Sequence, residues 1–336
     1  MNFLVIGGAG YIGSHFVVEA IRQGHRCLVY DNLERGHRAA VHCDASIVVG
    51  DIHDEKELSR TIKDFSPDVI LHYAAYALVP ESVANPSLYY YNNVGGVISL
   101  VKAMRASSYK KAVVFSSSCA VYGTPEVLPV TTRLNKNPES PYGFSKLFAE
   151  QILEDSAAAD GFSIMSLRYF NACGADATAS IGEDHTPETH LIPNLIKAAL
   201  NGEQVSIFGK DFETKDGTCI RDYIHVTDLA QSHILAAKFL LSARSKAKGS
   251  YCLNIGSGSG YSNLEMLKMV EEVLGINLKY QICPRRDGDA TALYADINEA
   301  KELIGFEPVH SSLKNIVETA YRWHMSHPHG YGRQKS

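Results

Sequence analysis

Short apolar runs rich in β-branched residues alternate with longer helical patterns along the first half of the chain, and this alternation constrains the fold more than any other feature. The runs are NFLVI (2–6), RCLVY (26–30), SIVV (46–49), PDVILHY (67–73), KAVVFSSS (111–118) and SIMSLRYF (163–170), with helices expected from Tyr11 and Asp54 and in the later gaps. Strands that are apolar throughout must be covered on both faces, and a parallel neighbour is reached only through a helical crossover. The pattern predicts an α/β fold in which residues 1–172 form a doubly wound parallel sheet.

After Asn171 the rhythm loosens into the small, polar stretch ACGADATASIGEDHTPETH (172–190). Helical patterns return in LIPNLIKAALNG (191–202), DLAQSHILAAKFLL (228–241) and LEMLKMVEEVLG (264–275), separated by short strands such as VSIFG (205–209) and YCLNIG (251–256). A smaller, partly interleaved C-terminal α/β domain is expected over most of 173–330, with a segment near 222–255 returning to the first. In such sheets ligands bind outside the carboxyl ends of the strands, in the crevice a second domain would close.

The chain has 336 residues and a formal net charge of −5 with its 14 histidines neutral. That length suits one large or two modest cores. Basic residues cluster only in short pairs, Lys110-Lys111 and Arg285-Arg286, so no nucleic-acid partner is expected. The seven cysteines lie singly from Cys27 to Cys283 without a CxxC, which suits a reducing cytosol. The opening MNFLVIGGAGYIGSH has no basic leader, and its apolar run is broken by glycines after strand length, so neither a signal peptide nor a membrane span is expected. These features point to a cytoplasmic protein without a membrane partner, and no metal is expected.

The glycine-rich turn GGAGYIG (7–13) follows the first strand at once and opens the first helix. Its spacing is Gly7-x-x-Gly10-x-x-Gly13. Without side chains the backbone turns tightly and lets a pyrophosphate approach the free N–H groups at the positive end of the helix. This placement makes a dinucleotide site of Rossmann type the favoured reading over an ordinary tight turn. Asp31, at the end of the second run, stands where an acid accepts hydrogen bonds from an adenosine ribose and would repel a 2′-phosphate, which favours NAD over NADP. An aspartate capping its own turn is the plainer alternative. GDI (50–52) closes the third run and is placed to meet the adenine, although it is also ordinary turn chemistry.

The fifth run ends in FSSSCAVYG, which puts Ser116, Ser117 and Ser118 at the sheet edge where ligands collect. Beyond it comes SPYGFSK (140–146), with Ser140 suited to an N-cap and Pro141 to the first helical position. Residues four apart share a helix face, so Lys146 lies one turn from Tyr142. A phenol with a pKa of about 10 is a poor base at neutral pH, and a nearby ammonium favours the phenolate. With a dinucleotide in front, the Ser-Tyr-Lys set reads as NAD-dependent alcohol oxidation: Tyr142 takes the hydroxyl proton and Ser118 hydrogen-bonds the same oxygen.

The segments GGAGYIGSH, YDNL, GDI, YYYNNVGG, FSSSCAVYG, SPYGFSK and LRYFNACGA closely resemble the extended short-chain dehydrogenase/reductase family. EDHTPETHLIP, IFGKDFETKDGTCIRDYIHVTDLA, NIGSG and RRDGDATALYAD extend the likeness, in order, over nearly the whole chain, toward the family's UDP-hexose 4-epimerases. The resemblance implies an isomerase that keeps NAD bound, oxidises C4 of a UDP-sugar to a 4-keto intermediate and returns the hydride to its other face, interconverting UDP-galactose and UDP-glucose. It implies catalytic roles for Ser118, Tyr142 and Lys146. Cofactor contacts are implied for Gly7, Gly10, Tyr11, Ile12, Gly13, Asp31, Asn32, Asp51, Ile52, Tyr73, Ala74, Ala75, Ala77, Asn92, Ser116 and Phe170, besides Tyr142 and Lys146. Asn171, Leu191, Phe208, Arg221, Arg286 and Asp289, with Ser118, match positions that hold the UDP-sugar, where arginines engage the diphosphate. Plainer readings pair Arg221 with Asp222 and Arg286 with Asp289, and make Phe208 a core aromatic.

Three positions depart from the family pattern. Ala77 stands where many of these enzymes carry lysine, Ala120 where many have threonine, and Leu293 where some have a pocket-confining tyrosine, which leaves UDP-N-acetylhexosamines and UDP-pentoses open as substrates. Dehydratases and decarboxylases of the family need an acid just after the catalytic Ser or Thr, but Cys119 and Ala120 follow Ser118. A non-catalytic NAD-binding regulator would not need Ser118, Tyr142 and Lys146 in register. The tyrosine-rich stretch from Ser87 reads as a long helix, and relatives pair it with the catalytic helix in a dimeric four-helix bundle, so a homodimer is expected.

Overall fold

The structure, a computed structural model, describes residues 1–245, 249–286 and 289–332. Six strands follow the six apolar runs: β1 (Asn2–Ile6), β2 (Arg26–Asp31), β3 (Ser46–Val49), β4 (Val69–His72), β5 (Ala112–Ser118) and β6 (Ser163–Tyr169). With the strand Ser250–Ile255 they form a seven-stranded sheet in the order (250–255)-β6-β5-β4-β1-β2-β3. Every pairing in it is parallel. The chain winds outward in both directions from β1, so the order reverses between β1 and β4, and a crevice opens at the carboxyl ends there.

The central strands do not alternate because both faces are covered. On one face Phe3, Val5, Val29 and Leu71 meet Phe16 and Val17 of α1 (Tyr11–Arg22) and Leu229 and Ile234 of the helix Val226–Leu240. On the other, Leu4, Ile6, Ile70 and Ile164 meet Leu58, Ile62, Leu100 and Leu153. Each such side chain contributes about 1.5–3 kcal/mol by leaving water. A third apolar cluster lies apart from the large sheet. It joins Leu195 and Ile196, Met266 and Leu267, and Ile316 and Val317, from the helices Leu191–Asn201, Asn263–Leu274 and Leu313–Ser326. The parallel pair Gln204–Phe208 and Lys279–Cys283 stands beside it.

Two elements take forms that the sequence reading left open. YCLNIG, inside the segment near 222–255 expected to return to the first domain, is the edge strand of the large sheet, parallel to β6, because Leu253 and Ile255 complete the same apolar layer as Leu167. Residues 86–106 are helical throughout, but Tyr90–Gly95 is wound as a wider π-helical turn between the α-helical pieces Pro86–Tyr89 and Gly96–Ala106. Such bulges re-aim a side chain. Here Asn93 is buried, and its amide accepts from Tyr76 N and donates to Tyr76 O and Ser145 Oγ, clamping the loop after β4 to the helix Pro141–Asp160.

That helix is anchored by a buried ion pair. The Arg168 guanidinium, on β6, donates from Nε to Glu150 Oε1 at 2.9 Å and from Nη2 to Glu150 Oε2 at 2.6 Å. Ser117 on β5 donates to the same carboxylate, and Arg168 Nη1 reaches the Tyr122 hydroxyl at 2.9 Å. Removing one partner strands the other charge in the interior. Arg168→Met is therefore expected to lower the unfolding free energy by about 3–5 kcal/mol, read from urea unfolding monitored by circular dichroism.

Candidate active site

Close backbone packing builds the turn between β1 and α1. Gly7 has φ of +82°, and a Cβ there would lie 2.5 Å from Ala74 N, so only glycine lets the loop after β4 pass so near. A Cβ at Gly13 would meet Gly7 O at 2.3 Å, whereas one at Gly10 would find nothing nearer than Gly7 O at 3.5 Å. Gly10 is the N-cap of α1 and gives no side-chain cap, so the first N–H groups of the helix, at Tyr11 and Ile12, remain available to an anion. These features fit the pyrophosphate of a dinucleotide.

Asp31, at the end of β2, is buried and accepts from Ala9 N and Leu33 N, both at 2.9 Å. Burial raises its pKa while these two bonds act against the rise. Asp31 thus caps its own turn, and its remaining lone pairs stay open to a ribose. Asn32 donates to the Asp51 carboxylate at 3.1 Å, and Ile52 packs in the core beside them, so the ends of β2 and β3 converge on one rim.

Ser140 caps the helix Pro141–Asp160 by accepting from Gly143 N at 3.1 Å, with Pro141 first in the helix. A Cβ at Gly143 would lie 2.6 Å from Ala120 O, so its absence lets the helix start press against the turn after Ser118. That approach brings Tyr142 to Ser118. The Ser118 oxygen accepts from Ala120 N at 3.2 Å, which leaves its O–H to donate. Lys146 Nζ donates to Ser116 O at 2.7 Å and lies 6.0 Å from the centre of the Tyr142 ring.

Burial dominates the protonation of both groups. It pushes the Tyr142 phenol up to about 12 against the pull of its hydrogen bond with Ser118. It pushes the Lys146 ammonium down to about 7, with Glu150 opposing. The sequence reading expects the ammonium to draw the phenol downward. In this geometry Lys146 spends a hydrogen bond on the Ser116 carbonyl, and burial sets the direction of the phenol's shift, with Ser118 rather than Lys146 as the group that opposes it.

Other expected side chains are arranged less directly. Ser116 Oγ meets His233 Nε2 at 3.0 Å, and Tyr73 packs its ring on Phe16 and His233, so both side chains lie inside rather than on the rim. Ala74 and Ala75 are half-buried in the loop beside Gly7, and Ala77 is exposed. Asn92 donates to Asn93 Oδ1. Phe170 is buried with Val121, Ala295 and Leu293, and Asn171 Nδ2 donates to Asp222 O at 2.9 Å. Leu191 opens its helix, half-buried against the third cluster.

The polar residues farther along do not pair as the plainer readings have it. Arg221 Nη2 meets Asp289 Oδ1 at 3.2 Å and its Nη1 donates to Ala290 O at 2.7 Å. Asp222 turns the other way and accepts from Ser257 N, Gly258 N and Ala295 N. The Arg286 guanidinium lies 3.9 Å over the Phe208 ring, so two of the expected sugar-nucleotide residues stack as a cation–π pair. Sequence reasoning missed Asn93, Glu150 and Arg168, which position the site. It also missed the convergence of Glu183, His185, Glu188 and His190, for which the histidine and glutamate spacing of EDHTPETH is the only sequence signal.

Lys146 has a thermodynamic signature. Its folded pKa is depressed to about 7, below the ordinary lysine value of about 10.4. Between those limits the unfolded chain holds the extra proton, so rising pH favours the folded state through this group, and the penalty is complete once pH has fallen to about 7. In cofactor-stripped protein, wild type is expected to gain stability over Lys146→Met between about pH 7.5 and 9, by at most about 1.4 kcal/mol per pH unit. Paired urea titrations across that range measure it.

The profile of the NAD dependent epimerase/dehydratase family matches residues 3–255. A UDP-glucose 4-epimerase from Lactobacillus helveticus is 48% identical, covering 98% of this chain and 99% of the relative. Among solved structures, the UDP-glucose 4-epimerase from Brucella ovis in complex with NAD has a TM-score of 0.91 at 46% identity, over 96% of this chain and 97% of that one. The enzyme from Stenotrophomonas maltophila, with bound NAD and formylated UDP-arabinopyranose, has a TM-score of 0.93 at 37% identity, over 98% and 99% of the two chains. With its parallel sheet, its glycine turn and these full-length likenesses, the chain belongs to the NAD dependent epimerase/dehydratase family and groups there with the UDP-glucose 4-epimerases.

Proposed function

We propose that the chain interconverts UDP-galactose and UDP-glucose by reversible oxidation at the sugar C4, with NAD held throughout the cycle. The observation that carries this is the buried meeting of Ser118, Tyr142 and Lys146 at the same carboxyl edge of the sheet as the glycine turn. Residues 1–172, with the return near 222–255, form the cofactor half in this reading, and most of 173–330 the sugar-nucleotide half.

NAD held by the glycine turn and Asp31 would supply a hydride acceptor and donor and a positively charged ring. Tyr142 takes the proton of the C4 hydroxyl and gives it back, and the Ser118 O–H donates to the same oxygen. When protonated, Lys146 favours the phenolate by adding positive charge within a dry pocket. Arg221 and Arg286 are the cations placed for a diphosphate, with Asp289 and Phe208 orienting them. Asn171 and Leu191 border the sugar-nucleotide side.

Leu293 lies half-buried on the short strand Ala292–Leu293, paired with Ile220–Arg221, and packs against the cluster of Phe170 and Val121. A leucine leaves more space than a tyrosine, so UDP-N-acetylhexosamines or UDP-pentoses stand as the second reading of substrate. Incubation with UDP-galactose, UDP-GalNAc and UDP-arabinose without added cofactor, followed by chromatography, separates the readings. Turnover of none of them without added NAD would overturn an epimerase with resident cofactor. Tyr142→Phe is expected to keep the fold and bound NAD and to lose about 10²–10⁴-fold in turnover; unchanged turnover would remove Tyr142 from the chemistry.

A homodimer and a cytoplasmic location complete the proposal. Tyr90, Phe144 and Phe148 form an exposed aromatic face across the two helices of residues 86–106 and 141–160, with Tyr90 and Phe148 centroids 6.1 Å apart and Ile98 also exposed. Apolar faces of this kind mark association surfaces. All seven cysteines are free thiols, as a reducing compartment favours, and no helix among the described residues is long and apolar enough to cross a membrane. Light scattering is expected to give twice the chain mass of 36.8 kDa, and Phe148→Glu to shift it toward the monomer.

A further inference from the structure

Glu183, His185, Glu188 and His190 lie in the loop between Cys173 and the helix Leu191–Asn201, with one potential ligand atom from each within 4.8 Å of all the others. The separations run from 2.8 to 3.9 Å, the two shortest being contacts of His190 Nδ1 with the two carboxylates. Glu183 Oε1 is 2.8 Å from His190 Nδ1 and 3.2 Å from His185 Nδ1. Glu188 Oε1 is 3.0 Å from His190 Nδ1, and Glu188 Oε2 is 3.9 Å from His185 Nδ1. Ligands about 2.0–2.2 Å from a tetrahedral zinc stand roughly 3.3–3.6 Å from one another, in the middle of this spread.

Two further observations bear on what this cluster can hold. The Glu188 side chain is only 6% exposed, yet its Oε2 has no hydrogen-bond partner, and neither has the buried Nδ1 of His185 that faces it. Lys197 Nζ stands 3.9 Å from that oxygen, too far for a hydrogen bond. Glu188 Oε1, by contrast, is fixed by the backbone N–H groups of Thr189 and His190, both at 2.9 Å, which sets the direction of the carboxylate. Glu183 is also buried, at 5% side-chain exposure, and the charge now facing the two carboxylates is that of His190, which they hold protonated up to about 10 and whose proton a divalent cation would displace.

We propose that these four residues form a structural binding site for a divalent zinc-class cation. Two imidazole nitrogens and two carboxylates suit zinc better than magnesium or calcium, which prefer all-oxygen shells. Four protein ligands leave no open position, so the ion is structural rather than catalytic. It would tie together parts of the molecule that meet at this loop. Trp323 of the last helix donates to Glu183 O at 3.1 Å, and the His185 ring lies edge-on to Tyr11 of the glycine turn at 6.2 Å.

The test uses the purified holoprotein, treated with EDTA, exchanged into metal-free buffer near pH 8 and titrated with zinc alone. One zinc per chain is expected by calorimetry and elemental analysis, and cobalt in its place should show the strong visible absorption of a four-coordinate ion. His185→Asn and His190→Gln should each weaken zinc binding at least tenfold. The altered exposed cluster His42→Ala/Cys43→Ser, a second group of potential ligands, should leave it unchanged. Absence of saturable zinc binding by the wild type would overturn the proposal and leave the four residues as an ion-paired cluster. So would affinity undiminished in both histidine variants, or affinity lost with His42 and Cys43.

Discussion

The ion pair between Glu150 and Arg168 holds the arrangement on which the rest depends. Glu150 lies one turn beyond Lys146 on the same helix, and its carboxylate is gripped by Arg168 of β6 and Ser117 of β5. Through Tyr122 the network passes to Asn254 of the edge strand, and Asn254 Nδ2 reaches Val130 O. Helix, sheet and the loop after Ser118 are thereby locked in one register. A charged pair is costly to bury, but once buried its geometry is restrictive, because any shift leaves a charge without its partner.

That register is what places Tyr142 against Ser118 and Lys146 against the Ser116 carbonyl. The helix also approaches the turn at Ala120 closely enough to require glycine at position 143. Burial of the phenol and the ammonium then drives their proton affinities apart, from about 10 and 10.4 in water to about 12 for the phenol and about 7 for the ammonium. The pocket by itself thus holds a neutral phenol, and added positive charge is what would lower it.

Much of the fold was legible in the order of residues. The six apolar runs become β1–β6 with shifts of a residue or two, and the helix start at Ser140-Pro141 is read correctly, since capping and strand burial are local or compositional effects. The return of the chain near 222–255 and the strand YCLNIG were expected, but not its pairing with β6, which depends on a neighbour far away in sequence, nor the π turn at Tyr90–Gly95, which depends on a contact between Asn93 and the loop at Tyr76. In the site, the residue types and the Tyr-Lys spacing were visible, whereas the inward turn of Ser116 and Tyr73 toward His233, and the pairing of Arg221 with Asp289, were not.

Periodicity and spacings of a few residues suffice to say which segments are strands, where the backbone must lack side chains, and that a phenol and an ammonium share a helix face. The folded chain was needed to decide which charges meet, which polar groups lose water and in which direction their proton affinities move. Glu150 meets Arg168 across 18 positions, and Arg221 meets Asp289 across 68. Desolvation and charge pairing depend on distance in space, and no local pattern in a chain records it.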